Sequence, residues 1–206
     1  MRIDSIVHTM AVRSVDKGLV SQDQAEVYEY GLALIMTSIL SFIVALVWGF
    51  TFHCLAEVIA FLVVFIPLRM YTGGYHASTY FRCLLAFIFM LAILELFIEW
   101  VSTPMIAPIT MLVSLITLLS VFLFAPIQHP NAPIRDSDRL KFKRIARLIC
   151  LFDIVLVSVF INTPLLKAPN TSIITAINCG LFFTSVLIII GQLTHTGKEV
   201  NAKCTK

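Results

Sequence analysis

The sequence predicts an all-α, polytopic integral membrane protein with about six transmembrane helices, an N-terminal amphipathic helix and both termini in the cytoplasm. Three observations carry this expectation. Apolar residues make up 59% of the chain and charged residues 13%, where soluble domains hold roughly 45–50% and 25%. The apolar residues gather into stretches near the roughly 20 residues needed to cross a bilayer. The basic residues fall in alternate connections between those stretches.

At the N-terminus, Ile3, Ile6, Val7 and Met10 recur at helical spacing among polar residues, so 1–20 is expected to be an amphipathic segment on the membrane surface. The start Met1-Arg2-Ile3-Asp4 has none of the marks of a cleaved secretory signal, so it is expected to be retained. Ser21 followed by Gln24 resembles a capping box, with Asp23 and Glu26 in the first turn of a helix that becomes span one and leaves the bilayer near Phe50. Span two covers about His53 to Leu68 and carries Glu57 near one end. Span three runs from about Cys83 to Trp100, with Glu95 and Glu99 toward its far end, and span four from about Pro104 to Ala125. Span five, about Leu148 to Ile161, follows a basic stretch and holds Asp153, whereas span six, about Ser172 to Leu193, is uncharged.

Lys and Arg concentrate on the cytoplasmic side of membrane proteins. Six spans place Arg2, Arg13 and Lys17, then Arg69 and Arg82, then Arg135, Arg139, Lys141, Lys143, Arg144 and Arg147, then Lys198, Lys203 and Lys206 on one side. Of the 15 basic residues only Lys167 falls opposite. That leaves a single membrane-embedded domain over 1–206, in the cell membrane, with no room for a sizeable soluble one. Five scattered cysteines, Cys54, Cys83, Cys150, Cys179 and Cys204, form no CxxC pair, and the histidines form no ligand pair. A disulfide framework, a metal, a cofactor and a nucleic-acid partner are therefore not expected.

The connection 69–83, from Arg69 to Cys83, differs from the rest of the chain. Pro67 and the Gly73-Gly74 pair disfavour a continuous helix there and predict a tight, irregular turn. His76 and Cys83 would lie about 10.5 Å apart along an unbroken helix, too far for proton transfer. A turn that folds His76 over the start of span three would bring imidazole and thiol together. Cys83 would then sit where the helix dipole and Arg82 favour the thiolate. On spacing alone a plainer reading stands beside this one, in which the cysteine packs as a small apolar residue and the histidine is solvated.

Arg69, the run Gly73-Gly74-Tyr75-His76-Ala77 and Cys83 at its distance resemble the signature of the accessory gene regulator B family of membrane endopeptidases. So do Tyr28-Glu29-Tyr30-Gly31-Leu32 and the segment from Pro126 through Asn131 to Pro133-Ile134 before a basic stretch. The resemblance implies a cysteine endopeptidase that processes a quorum-sensing propeptide, with Cys83 as nucleophile and His76 as base. It further implies a thioester intermediate and cyclisation to a thiolactone or lactone. Arg69 and Gly74 match positions the family also requires, and the likeness suggests a homodimer. One departure is Ala132, where the family often has lysine between asparagine and proline.

The implied substrate has a central cysteine or serine and an acidic C-terminal segment, which Arg135, Arg139, Lys141 and Lys143 in the basic connection 126–147 could recruit. Anionic lipid would suit those residues equally well. Arg69 is open to two readings, a substrate contact or a topology anchor. Asp153, about 9 Å beyond Arg147 along the helix, could orient His76 or pair with a neighbouring arginine. The competing function is a non-catalytic transporter or peptide-binding scaffold; the absence of repeated halves speaks against the transporter.

Overall fold

The computed structural model describes residues 3–18, 20–73, 80–101, 103–127, 136–162 and 171–204. Among these the chain is all-helical: α1 Ile3–Asp16, a 3-10 turn Gln22–Gln24, α2 Ala25–Thr51, α3 Leu55–Thr72, α4 Tyr80–Trp100, α5 Thr103–Phe124, α6 Asp136–Asn162 and α7 Thr171–Cys204. Five helices are long and apolar enough to cross a membrane, over Gly31–Thr51, Leu55–Thr72, Phe81–Trp100, Pro104–Phe124 and Thr171–Thr194.

α7 is the centre of the bundle, packed against α3, α4, α5 and α6. One face of α3 and α7 joins α5 and α6 around Val64, Leu68, Val121, Cys150, Val157 and Leu181. The other joins α2 and α4 around Val58, Phe61, Leu91, Leu94, Phe183 and Leu187. The close approach of α3 and α7 depends on Gly180, where a Cβ would stand 3.2 Å from the Phe61 carbonyl oxygen. Small residues at such crossings let membrane helices meet backbone to backbone.

Paired side chains give the helix directions. Asn178 Nδ2 donates to Thr110 Oγ1 at 2.7 Å and Ser185 Oγ to Thr117 Oγ1 at 2.9 Å. Both partners advance together, so α5 and α7 run parallel. Ser172 Oγ donates to Glu57 Oε1 at 2.7 Å, placing the starts of α3 and α7 at one end of the bundle. Tyr71 packs on Phe142 with ring centroids 5.6 Å apart, and Arg147 Nη2 donates to the Phe122 carbonyl at 3.1 Å. α6 therefore begins at the opposite end, where α3 and α5 finish.

Several local expectations need correction. The Ser21 side chain makes no capping bond; the Gln24 N–H bonds the Ser21 carbonyl in a 3-10 turn, and α2 starts only at Ala25. Pro67 does not end α3, which continues to Thr72. A proline removes one intrahelical bond, and here burial of Leu68 and Thr72, both 0% exposed, holds the next turn in place. The basic stretch is no separate loop from Asp136 onward but the first half of the 27-residue α6. α7 likewise runs past the expected span to Cys204.

α1 is amphipathic as expected, but part of its apolar stripe is used within the protein. Val7 and Ala11, one turn apart, are buried on packing against α2, and His8 Nδ1 lies 3.2 Å from Glu29 Oε2. Met10 remains exposed.

Candidate functional site

α3 stops where its sequence reaches glycine. Gly73 takes φ +68° and ψ −143°, a conformation in which side chains are strained, and its N–H bonds the Arg69 carbonyl at 3.0 Å. Beyond α5 the chain returns to the same place: the Ile127 N–H bonds the Thr72 carbonyl at 2.9 Å, and Gly73 and Ile127 form an isolated parallel β-bridge. A Cβ on Gly73 would come within 2.4 Å of the Ile127 carbonyl oxygen. Glycine is thus required twice, for its backbone angles and for the approach of a second strand of chain. This clamp joins the start of the 69–83 connection to the start of the 126–147 connection.

Cys83 is the fourth residue of α4. The N-terminal turn of an α-helix is the positive end of its dipole, which favours a thiolate. It is a free, partly exposed cysteine, whereas Cys54, Cys150 and Cys179 are buried. Their environments differ in kind. Burial pushes the Cys54 thiol up to about 12, and the neighbouring Glu95 carboxylate adds to the rise. His76 and Gly74 lie in 74–79, outside the described residues, as does Arg135.

The other site residues expected from sequence fall into two groups. Arg69, in the last turn of α3, is partly buried with its guanidinium 5.8 Å from the centre of the Phe65 ring. Arg139, Lys141 and Lys143 lie in the first half of α6, with Lys141 Nζ 3.4 Å from Asp138 Oδ1. These belong to the end of the bundle that holds the Gly73–Ile127 clamp.

Asp153 lies deeper. It shares the buried stripe Ala146, Cys150, Asp153 and Val157 of α6 and is 5% exposed. Among the described residues Arg147 lies over the Phe122 ring, 4.5 Å from its centre, and donates to the Phe122 carbonyl rather than to Asp153. Asp153 Oδ2 has no hydrogen-bond partner among the described residues. Six residues advance a helix by about 600°, so the two side chains point roughly 120° apart. α6 packs on α3, α5 and α7, while α4, which carries Cys83, packs on α2 and α7.

Sequence reasoning missed the contact of Thr72 and Gly73 with Ile127. Its one signal is a glycine directly after a helix, in a segment already marked as irregular. It also missed the polar pairs between α5 and α7, although Thr110 and Thr117 share their seven-residue spacing with Asn178 and Ser185.

A bundle of long apolar helices, with a glycine clamp at the end of α3 and a partly exposed cysteine in the first turn of α4, defines a multi-pass membrane protein with a candidate thiol site. The model of the family Accessory gene regulator B matches residues 4–196, and the chain belongs to that family. It is similar to an AgrB-like protein of Clostridium perfringens (strain 13 / Type A), 27% identical over 124 residues, which is 58% of this chain and 58% of that relative. No solved structure matches the chain.

Proposed function

We propose that this protein is a membrane cysteine endopeptidase that processes a quorum-sensing propeptide, with Cys83 as nucleophile and His76 as base. The observation that carries the reading is the placement of Cys83: a partly exposed thiol in the first turn of α4, on a chain of this family, while Cys54, Cys150 and Cys179 are buried. The end of α3 at Gly73 supports it, because a glycine with positive φ there turns the chain out of the helix before the segment that carries His76.

In this reading the Cys83 thiol gives its proton to His76, and the sulfur attacks the scissile carbonyl. The peptide C–N bond breaks, His76 protonates the departing amine, and the N-terminal part remains as a thioester on Cys83. The thiol or hydroxyl of the propeptide's own central cysteine or serine then attacks that thioester. A thiolactone or lactone forms and the Cys83 thiol is regenerated. Backbone N–H groups in the first turn of an α-helix are suitable donors for a developing oxyanion, and Cys83 is placed near such a turn. Exclusion of water from the thioester favours cyclisation over hydrolysis.

Arg69, Arg139, Lys141 and Lys143 serve in this reading to draw the acidic segment of the substrate and anionic lipid headgroups to the same end. Gly73 and Gly74 shape the turn, and Asp153 serves as site support from α6. The chain acts as one domain over 1–206, as a homodimer in the cell membrane. α6 begins at the clamp end of the bundle, and the Glu57–Ser172 bond starts α7 at the other. This arrangement supports a sixth crossing by α6, with the clamp end and both termini cytoplasmic.

Co-expression with the propeptide tests the assignment. Cys83→Ala abolishes cleavage, and His76→Ala lowers it on the order of 10²–10⁴-fold. Normal cleavage by either variant would end the peptidase reading in favour of a transporter or scaffold. Labelling of single cysteines placed at Lys167 and Arg139 tests the topology, which requires opposite sides.

A further inference from the structure

The basic residues of α6 do not share one side of the helix. Each residue turns an α-helix by about 100°, so positions can be measured around the axis from Phe142. The buried stripe Ala146, Cys150, Asp153 and Val157 centres about 50° around. The exposed apolar stripe Leu148, Leu151, Phe152, Val155 and Val159 centres about 240° around, and in a sixth crossing it is the side turned to lipid. Arg139 and Lys143, at about 60° and 100°, stand over the buried side, whereas Lys141 and Arg144, at about 260° and 200°, stand over the lipid side.

Their surroundings differ in the same way. A cation above a lipid-facing stripe meets anionic headgroups, and Lys141 also has Asp138 Oδ1 at 3.4 Å. Arg147, at about 140°, lies on the ring and carbonyl of Phe122 near the end of α5. The flank of Arg139 and Lys143 therefore looks toward the end of α5, from which the chain runs to Ile127 and the clamp. Arg139 is exposed there, although the same side of α6 is buried from Ala146 onward. These two cations face away from lipid, over the end of the bundle.

Phe142 holds the helix in this rotation. Among the described residues the apolar core takes in Ala146, Cys150 and Val157 of α6 but no residue before Ala146. The turns before it are weak as a helix, with like charges four apart at Arg139 and Lys143 and cations close to the positive end of the dipole. Phe142 ties them to α3, its ring centroid 5.6 Å from that of Tyr71 and tilted by 55°. Tyr71 directly precedes Thr72, whose carbonyl takes the Ile127 N–H. The ring pair thus joins the basic half of α6 to the clamp.

We propose that Arg139 and Lys143 form the binding site for an acidic peptide segment, and that Phe142, packed on Tyr71, is the positioning residue that turns them to the clamp. The choice of occupant rests on the proposed processing of a propeptide, whose acidic C-terminal segment carries the carboxylates that two cations about 6 Å apart along the axis can pair. Lys141 and Arg144, on the other flank, are left to lipid headgroups.

The test uses the full chain in phosphatidylcholine nanodiscs and fluorescein-labelled hexaglutamate, with binding read by fluorescence anisotropy at low ionic strength, where exposed charges are least screened. The expected result is binding that weakens at least fivefold when Arg139→Gln and Lys143→Gln are combined. Lys141→Gln with Arg144→Gln removes the same charge and weakens binding less than twofold. Phe142→Ala weakens it at least fivefold and Phe142→Tyr restores it, while Leu140→Ala, at an exposed neighbour, changes nothing. Tyr71→Ala repeats the loss from the other helix and decides the matter if Phe142→Ala does not fold. Equal weakening by the two charge pairs, absence of binding by the wild type, or full binding by folded Phe142→Ala would overturn the proposal. If the Arg139 and Lys143 pair of substitutions instead costs co-purified phosphatidylglycerol and spares hexaglutamate, the flank belongs to lipid and the proposal falls. Binding is read without cleavage, so a failure here is told apart from a failure of the peptidase reading, which shows as normal cleavage by Cys83→Ala.

Discussion

At the end of the bundle where α3 and α5 finish, separate stretches of chain are joined by main chain, through the Ile127 N–H on the Thr72 carbonyl and the approach of Ile127 to Gly73. At the other end the join is made by side chains, through Ser172 on Glu57, with a buried thiol at Cys54 beside Glu95. A side-chain join tolerates substitution, because rotamers adjust and a neighbouring polar group can take over. A main-chain join does not, because it requires a particular backbone angle and the absence of a Cβ. The partly exposed cysteine lies on the helix that follows the main-chain join. The comparison teaches that this end is built for fixed geometry and the other for holding helices together.

The largest expected contrast is chemical. With N-ethylmaleimide at neutral pH and the chain folded in detergent, Cys83 is alkylated while Cys54 is protected until the protein unfolds, because a thiol held near 12 carries almost no thiolate. Peptide mapping before and after denaturation reads this directly, and modification of Cys54 at the rate of Cys83 would break the contrast between the ends.

Gly73→Ala comes next. Its conformation costs on the order of 1–3 kcal/mol for a residue with a Cβ, and Ile127 must also move. Cleavage of the co-expressed propeptide should fall at least tenfold, with the protein still present in the membrane fraction. Wild-type cleavage would show that the clamp does not position the site.

Glu57→Gln at the opposite end should lower stability by about 1 kcal/mol and leave cleavage within about twofold. A thermal unfolding series in one detergent measures the first, and loss of cleavage would mean that the two ends are coupled. The smallest effect belongs to the middle of the bundle. Ser185→Ala should cost about 0.6 kcal/mol, the average for hydrogen bonds between membrane helices, visible as a small shift in the same unfolding series. A cost of several kcal/mol would mark the α5–α7 pairs as the main tie of the bundle.

Comparing α2 with α7 shows where sequence reading stops. Ile35, Ile39, Phe42, Val47 and Phe50 of α2 are exposed on the bundle surface, while most of α7 between Thr171 and Thr194 is buried. Both helices read as apolar, and hydropathy cannot tell a lipid-facing side from a core. The discriminating residues are the small and polar ones, Gly180, Asn178 and Ser185, because close approach and interhelical hydrogen bonds need them. Asp153 and Arg147 teach a similar lesson. Both were visible as charged residues in or near a span, but helix rotation and the nearest partner decided what each one does.

The sequence by itself determined the helical membrane class, through uncharged stretches of span length. It also marked the break after α3, through Gly73, and the position of Cys83 at the start of a helix, through the end of the irregular segment. These are local properties, set by hydropathy and by the allowed backbone angles of single residues. Tertiary structure alone decided that α7 is the centre, that α6 carries the basic stretch from one end of the bundle toward the other, and that Ile127 closes on Thr72. It also decided that Asn178 pairs with Thr110 across the α5–α7 contact. Each of these depends on which side of an apolar helix meets another helix, and a run of apolar residues is compatible with every side.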